Sequence, residues 1–72
     1  MATFPERLKE LRKAKGDTQI AMAEFLGIRE RSYQNYEQGK REPNYETTIK
    51  IADYFNVSID YLLGRSNNSA RQ

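Results

Sequence analysis

The 72-residue chain contains no cysteine, no histidine and no tryptophan, and only two prolines. Without Cys there is neither a disulfide framework nor a thiolate metal site. Without His the usual zinc and haem ligand and the commonest general base are missing too. A reducing, cytoplasmic setting is expected. No apolar run approaches the roughly 18 residues a membrane span needs, and residues 1–15 mix charges as a signal peptide does not. A soluble chain with no membrane partner is expected. Also lacking are a nucleophile–base pair, a carboxylate cluster, metal-ligand spacing and a phosphate-cradling Gly motif, so neither catalysis nor a cofactor is expected.

What is present suits one small domain. Apolar residues make up 38% of the chain, and five Tyr and three Phe supply bulk for a compact but shallow core. The formal charge is only +2, yet it is uneven. Residues 1–41 hold nine Lys/Arg against six Asp/Glu, giving +3, and residues 42–72 hold three against four, giving −1. That asymmetry suits an anionic partner for the first half, although a pI near 9.0 is common among small domains.

Apolar residues recur at helical spacing between turn signals, with no alternating strand pattern, so an all-α domain of five short helices is predicted. The first spans residues 4–14, with Phe4, Leu8 and Leu11 inward, capping-box spacing at Thr3 and Glu6, and an end at Gly16. A second spans 18–26 with Thr18 as N-cap, Met22, Ala23 and Leu26 inward, and a sharp exit at Gly27. The third spans 29–38 and stops at Gly39; the fourth spans 45–55, capped by Asn44, buries Thr48, Ile49, Ala52 and Phe55, and ends at Asn56. A fifth, capped by Ser58, carries Ile59, Leu62 and Leu63 to Gly64. The domain is thus expected over residues 1–64, followed by "RSNNSARQ" over 65–72 as a disordered tail or linker.

At about 100° per residue, the third helix puts Tyr33 and Tyr36 on one side, and Arg31, Gln34, Asn35 and Gln38 within an arc of about 100° opposite. Any surface helix has a polar outer stripe. This one, however, is rich in planar forked side chains: Arg matches two adjacent acceptors on guanine, and Asn or Gln matches the donor–acceptor pair of adenine in the major groove. The Gly27 turn between two brief helices is the geometry in which one helix crosses the DNA backbone and the next enters the groove.

Taken with that turn, "RLKELRKAKGDTQIAMAEFLGI", "YEQGKREP" and "IADYFNVSIDYLLG" resemble the Cro and phage-repressor type of helix-turn-helix domain, the XRE family, over residues 4–64. The resemblance implies a five-helix lambda-repressor-like fold whose helices 2 and 3 form the DNA-binding unit. It implies base reading by Glu30, Arg31, Gln34 and Asn35, and phosphate contacts from Thr18, Gln19, Arg29, Ser32, Gln38, Lys40 and Arg41. Gln19 resembles the family's glutamine that holds a phosphate and braces the recognition helix, with Glu30 where its bracing partner would be. Arg12 and Glu37 match a partly buried structural ion pair between the first and third helices.

Several residues depart from the family pattern. Asp17 stands where a buried Leu is usual, so the turn is either more open or capped by Asp17 instead of Thr18. Arg29 replaces the usual Ser or Thr cap, so the third helix either starts differently or leaves its first N–H groups facing a phosphate. Glu30 either accepts from cytosine N4 or from the Gln19 amide. Ile20 and Phe25 are apolar where the family is often polar, and added core packing is expected of them. Tyr33, Tyr36, Tyr54 and Tyr61, at helical spacing, are expected in the core with hydroxyls at its rim, that of Tyr33 close enough to reach a phosphate.

The function implied is a sequence-specific double-stranded DNA-binding transcriptional regulator of the phage or mobile-element repressor type. It would occupy an inverted-repeat operator as a weak homodimer tightened on DNA. The alternative is an antitoxin-like protein-interaction module on the same fold. A protein partner and an additional C-terminal domain both stay open.

Overall fold

Four of the five helices begin on a short polar side chain. Thr18, Asn44 and Ser58 accept from the backbone N–H three residues on, at 3.0, 2.8 and 3.0 Å, each such cap being worth about 1 kcal/mol. At Thr3 the backbone N–H and hydroxyl donate to the Glu6 carboxylate at 3.1 and 3.0 Å, holding that carboxyl below its usual range. Only the third helix lacks such a start: its N-cap, Arg29, is extended and makes no side-chain cap bond.

The computed structural model describes residues 2–71; residues 1 and 72, the outer ends of the expected domain and tail, lie outside it. Among the described residues there are five helices and no strand: α1 (Phe4–Lys15), α2 (Gln19–Leu26), α3 (Glu30–Glu37), α4 (Tyr45–Phe55) and α5 (Ile59–Leu62). All five end in the same way, on a left-handed residue followed by a backbone bond that reaches back five residues. Asp17, Ile28, Lys40, Val57 and Arg65 donate to the carbonyls of Arg12, Ala23, Asn35, Ala52 and Asp60 at 2.8–3.1 Å. The left-handed residues are Gly16, Gly27, Gly39, Asn56 and Gly64.

Two of these glycines answer to different constraints. Gly27 has φ +69° with open space where a Cβ would point, so Gly27→Ala should cost about 1 kcal/mol through backbone conformation alone. Gly64 has φ +79°, and an added Cβ would lie 2.2 Å from the Ala2 carbonyl oxygen. Gly64→Ala should therefore cost more. Urea melts of the two variants check the order, and equal losses would mean that the Ala2 contact carries no weight.

Leu8, Met22, Ala23, Tyr33, Ile51, Ala52, Val57 and Leu62 form the core, so every helix contributes to it. Some inward positions differ from expectation. On α4 the buried stripe is Thr48, Ile51 and Ala52; Ile49, one step of about 100° off Thr48, is only half-buried. Because α5 is four residues long, Leu63 falls past its end and is 41% exposed, and Ile59 is 37% exposed. Val57 joins the core from outside any helix, since the left-handed turn at Asn56 folds it back to 5% exposure.

Residues 65–71, anticipated as a tail or linker, carry no helix and lie back on the domain. Arg7, 5% exposed, donates to the Tyr61 and Ser66 carbonyls at 3.0 and 3.1 Å and to Asn67 Oδ1 at 2.9 Å, its guanidinium 3.7 Å above the Tyr61 ring. Ser58 N–H donates to the Ser69 carbonyl at 3.1 Å, and Arg71 reaches the Ala52 carbonyl and the Asp53 carboxylate.

Candidate nucleic-acid interface

Helices α2 and α3, eight residues each, meet through Gly27, Ile28 and Arg29. Ile28 packs against the core, which pins the turn from inside. Asp17 neither opens the preceding turn nor caps α2: its carboxylate accepts from the Tyr54 hydroxyl at 2.6 Å and so ties the entry of α2 to α4, while Thr18 is the cap. That bond to Asp17 pushes the Tyr54 phenol above its usual range.

Tyr33 anchors α3. Its ring is fully buried, edge-on to Tyr36 with centroids 6.4 Å apart. Its hydroxyl donates to Glu37 Oε2 at 2.5 Å, so it does not reach the flank where a phosphate contact was expected. Burial foremost, and then the bond to Glu37, push this phenol well above the usual tyrosine range.

Beneath α3 the same carboxylate gathers four donors. Arg12 Nε and Nη2 donate to Glu37 at 2.6 and 3.2 Å, Gln19 Nε2 at 3.2 Å, and Tyr33 as above. The Glu37 side chain is 3% exposed and that of Arg12 11%. Burial alone would raise the Glu37 carboxyl, but the bonds from Arg12, Tyr33 and Gln19 together outweigh it and hold it below the usual carboxylate range. Arg12 Nη1 also donates to the Asp17 carbonyl at 3.0 Å, so one guanidinium joins α1, the turn into α2, and α3.

The network continues outward. Gln34 Nε2 donates both to Gln19 Oε1 and to Glu30 Oε2, each at 3.3 Å. Gln19 thus meets Glu37 and Gln34, and it is Gln34 that touches Glu30, where a direct Gln19–Glu30 brace was one alternative.

The outer side of α3 carries Glu30, Arg31 and Gln38 exposed, with Ser32, Gln34 and Asn35 half-exposed. At its end the Asn35 carbonyl accepts from both the Lys40 and Arg41 N–H groups, at 2.9 and 3.3 Å. The cationic loop is therefore tied to α3 by its backbone while its side chains remain exposed. Among the described residues the two ion pairs are Arg12–Glu37 and Arg71–Asp53, so the charges of Arg29, Arg31, Lys40 and Arg41 stand outside both. Arg29, exposed at the N-cap, gives the first N–H groups of α3 no side-chain acceptor.

Two expectations for α2 change. Ile20 is 54% exposed, because it lies about 160° round the helix from Met22, away from the core stripe. Phe25, 38% exposed, packs on Tyr54 at 4.4 Å with the Lys50 ammonium 4.8 Å from its ring. Tyr45, first residue of α4, was not singled out from the sequence and is 78% exposed.

Known proteins resemble this chain in sequence and in fold. Residues 8–62 match the model of a helix-turn-helix family. The chain belongs to that family, the Cro and phage-repressor type. It is 50% identical over 70 residues to YqaE, an uncharacterized HTH-type transcriptional regulator of Bacillus subtilis (strain 168), covering 96% of this chain and 60% of that protein. It is 48% identical over 60 residues to RstR, the cryptic phage CTXphi transcriptional repressor of Vibrio cholerae, covering 83% and 54% respectively. A crystal structure of a transcriptional regulator from Listeria innocua superposes with a TM-score of 0.83 at 37% identity, covering 86% of this chain and 58% of that one. The chain spans little more than half the length of these relatives.

Proposed function

We propose that this chain is a transcriptional regulator's DNA-binding domain, which enters the major groove with α3 and represses by occupying an operator. One observation carries the reading: a stripe of Arg31, Gln34, Asn35 and Gln38 ends in a cationic Lys40–Arg41 loop fastened to Asn35. In this reading Glu30, Arg31, Gln34 and Asn35 meet base edges. Thr18, Gln19, Arg29, Ser32, Gln38, Lys40 and Arg41 meet phosphates. Gln19 gives one amide hydrogen to Glu37 and keeps its second for such a contact. Repression is favoured by the likeness to RstR, a phage repressor.

Two copies would sit on an inverted repeat with centres about 34 Å apart, so that both α3 helices meet successive major grooves on one face of the duplex. The pairing is expected to be weak in solution and to tighten on DNA. Selection from randomised duplex DNA, with a mass measurement of the bound species, tests this. It should return an inverted repeat bound by two chains; a site without symmetry, saturated by one chain, refutes the dimer.

The exposure of Ile20 favours a second reading, an antitoxin-like role in which α2 meets another protein. A second chain retained through purification, with no duplex enriched in selection, would put that reading first.

A further inference from the structure

Glu37 sets the orientation of two amides that lead from the interior to the surface of α3. Its buried carboxylate, held in the charged form by Arg12, can only accept hydrogen bonds. Gln19 must therefore turn its NH2 group towards Glu37, since the reverse amide would set two oxygens against each other. Gln19 Oε1 is then aimed at Gln34. Gln34 in turn must present its NH2 group, whose two hydrogens go to Gln19 Oε1 and to the Glu30 carboxylate, itself an acceptor only. The orientation of the outermost amide, ordinarily free to rotate on a helix surface, is fixed from an ion pair inside the domain.

We propose that Gln34 meets DNA solely as a hydrogen-bond acceptor, through Oε1, so that its operator position demands an exocyclic amine, adenine N6 or cytosine N4. This rests on the reading of α3 as the groove-entering helix. A free glutamine pairs with adenine through both ends of its amide, accepting from N6 and donating to N7. Here the donor end is committed inward. Guanine and thymine, which present only acceptors at the corresponding edge, face Oε1 with nothing to donate. The single acceptor separates adenine and cytosine from guanine and thymine but does not separate adenine from cytosine. Glu30, the other acceptor on this edge, reinforces the same preference.

The experiment is selection from randomised duplex DNA with the full chain as wild type, Gln34→Ala, Gln19→Ala and Glu30→Ala, each checked for folding by circular dichroism. Gln34→Ala identifies the position by flattening it. There wild type should enrich adenine and cytosine on one strand about tenfold over guanine and thymine, and the two favoured bases should lie within about threefold of each other. Gln19→Ala or Glu30→Ala releases one amide hydrogen, lets the group fork onto adenine, and should raise adenine over cytosine several-fold. Glu30 is exposed, so Glu30→Ala serves where Gln19→Ala fails to fold. The proposal is overturned if wild type favours guanine or thymine at that position, or already favours adenine over cytosine as strongly as the released variants. It also falls if Gln34→Ala flattens no position while the rest of the operator is still selected. Enrichment of no sequence by wild type is a different result, and sinks the DNA-binding reading itself.

Discussion

Glu37→Ala should lower stability by about 3 kcal/mol, which for a domain of this size moves the melting temperature by roughly 12–24 °C. The variant does more than delete an attraction. Arg12, Tyr33 and Gln19 each lose an acceptor in a place where the Glu37 side chain was 3% exposed, so water does not readily replace it. Arg12→Ala should cost somewhat less, since Tyr33 and Gln19 still donate to the carboxylate and a proton can neutralise it. The double variant should fall well short of the sum of the two, by about 1 kcal/mol or more. Additive losses in denaturant melts would mean that the two residues do not interact.

The same carboxylate sets an acid limit. Its folded pKa is depressed. The stability it contributes is therefore complete above the unfolded value of about 4.3, and is lost as pH falls through the lower folded value. Wild type should lose stability over that interval and converge towards Glu37→Ala, whose own profile is flatter there. A gap between the two proteins that stays constant from pH 6 down to pH 2.5 would show that Glu37 does not titrate as described.

Much of the fold was legible because its signals are local. A left-handed residue must end each helix, and Gly16, Gly27, Gly39, Asn56 and Gly64 stand where the apolar periodicity breaks off. Thr18, Asn44 and Ser58 stand where it starts. What escaped is tertiary. Nothing beside Arg7 in the sequence shows that its guanidinium will be buried against the Tyr61 ring and the 65–71 segment. Val57 lies outside any helix, so helical spacing could not assign it to the core. Asp17 looked like a misfit for an apolar site until Tyr54, 37 residues on, supplied its partner.

The candidate interface divides in the same way. The angular grouping of Arg31, Gln34, Asn35 and Gln38 follows from helical geometry, and their exposure follows from Tyr33 and Tyr36 packing inward. Which of these side chains is free and which already engaged depends on α2 lying alongside, and that no periodicity can state. Gln34 is bound to Gln19 and Glu30, while Arg31 lies outside both ion pairs of the described residues.

Arg31→Ala should weaken binding to the selected operator by about 1–3 kcal/mol, or roughly 5- to 150-fold, while changing affinity for scrambled duplex far less. Arg31 is exposed near the start of α3, where the proposed groove entry would bring its side chain to base edges, and its charge stands outside both ion pairs of the described residues. Lys40 and Arg41 differ in kind. Their backbone bonds to Asn35 hold the loop against α3, but phosphates look alike on every sequence, so Lys40→Ala should weaken operator and scrambled duplex by similar factors. It should also reduce the slope of log K against log salt by about one unit, through one fewer released counterion. Gln19→Ala removes no charge and should leave the slope nearly unchanged. Titrations of each variant against both duplexes across a salt series separate the roles. If Arg31→Ala and Lys40→Ala show the same ratio of operator loss to scrambled loss, the outer stripe of α3 is a solvated face and the protein-interaction reading takes precedence.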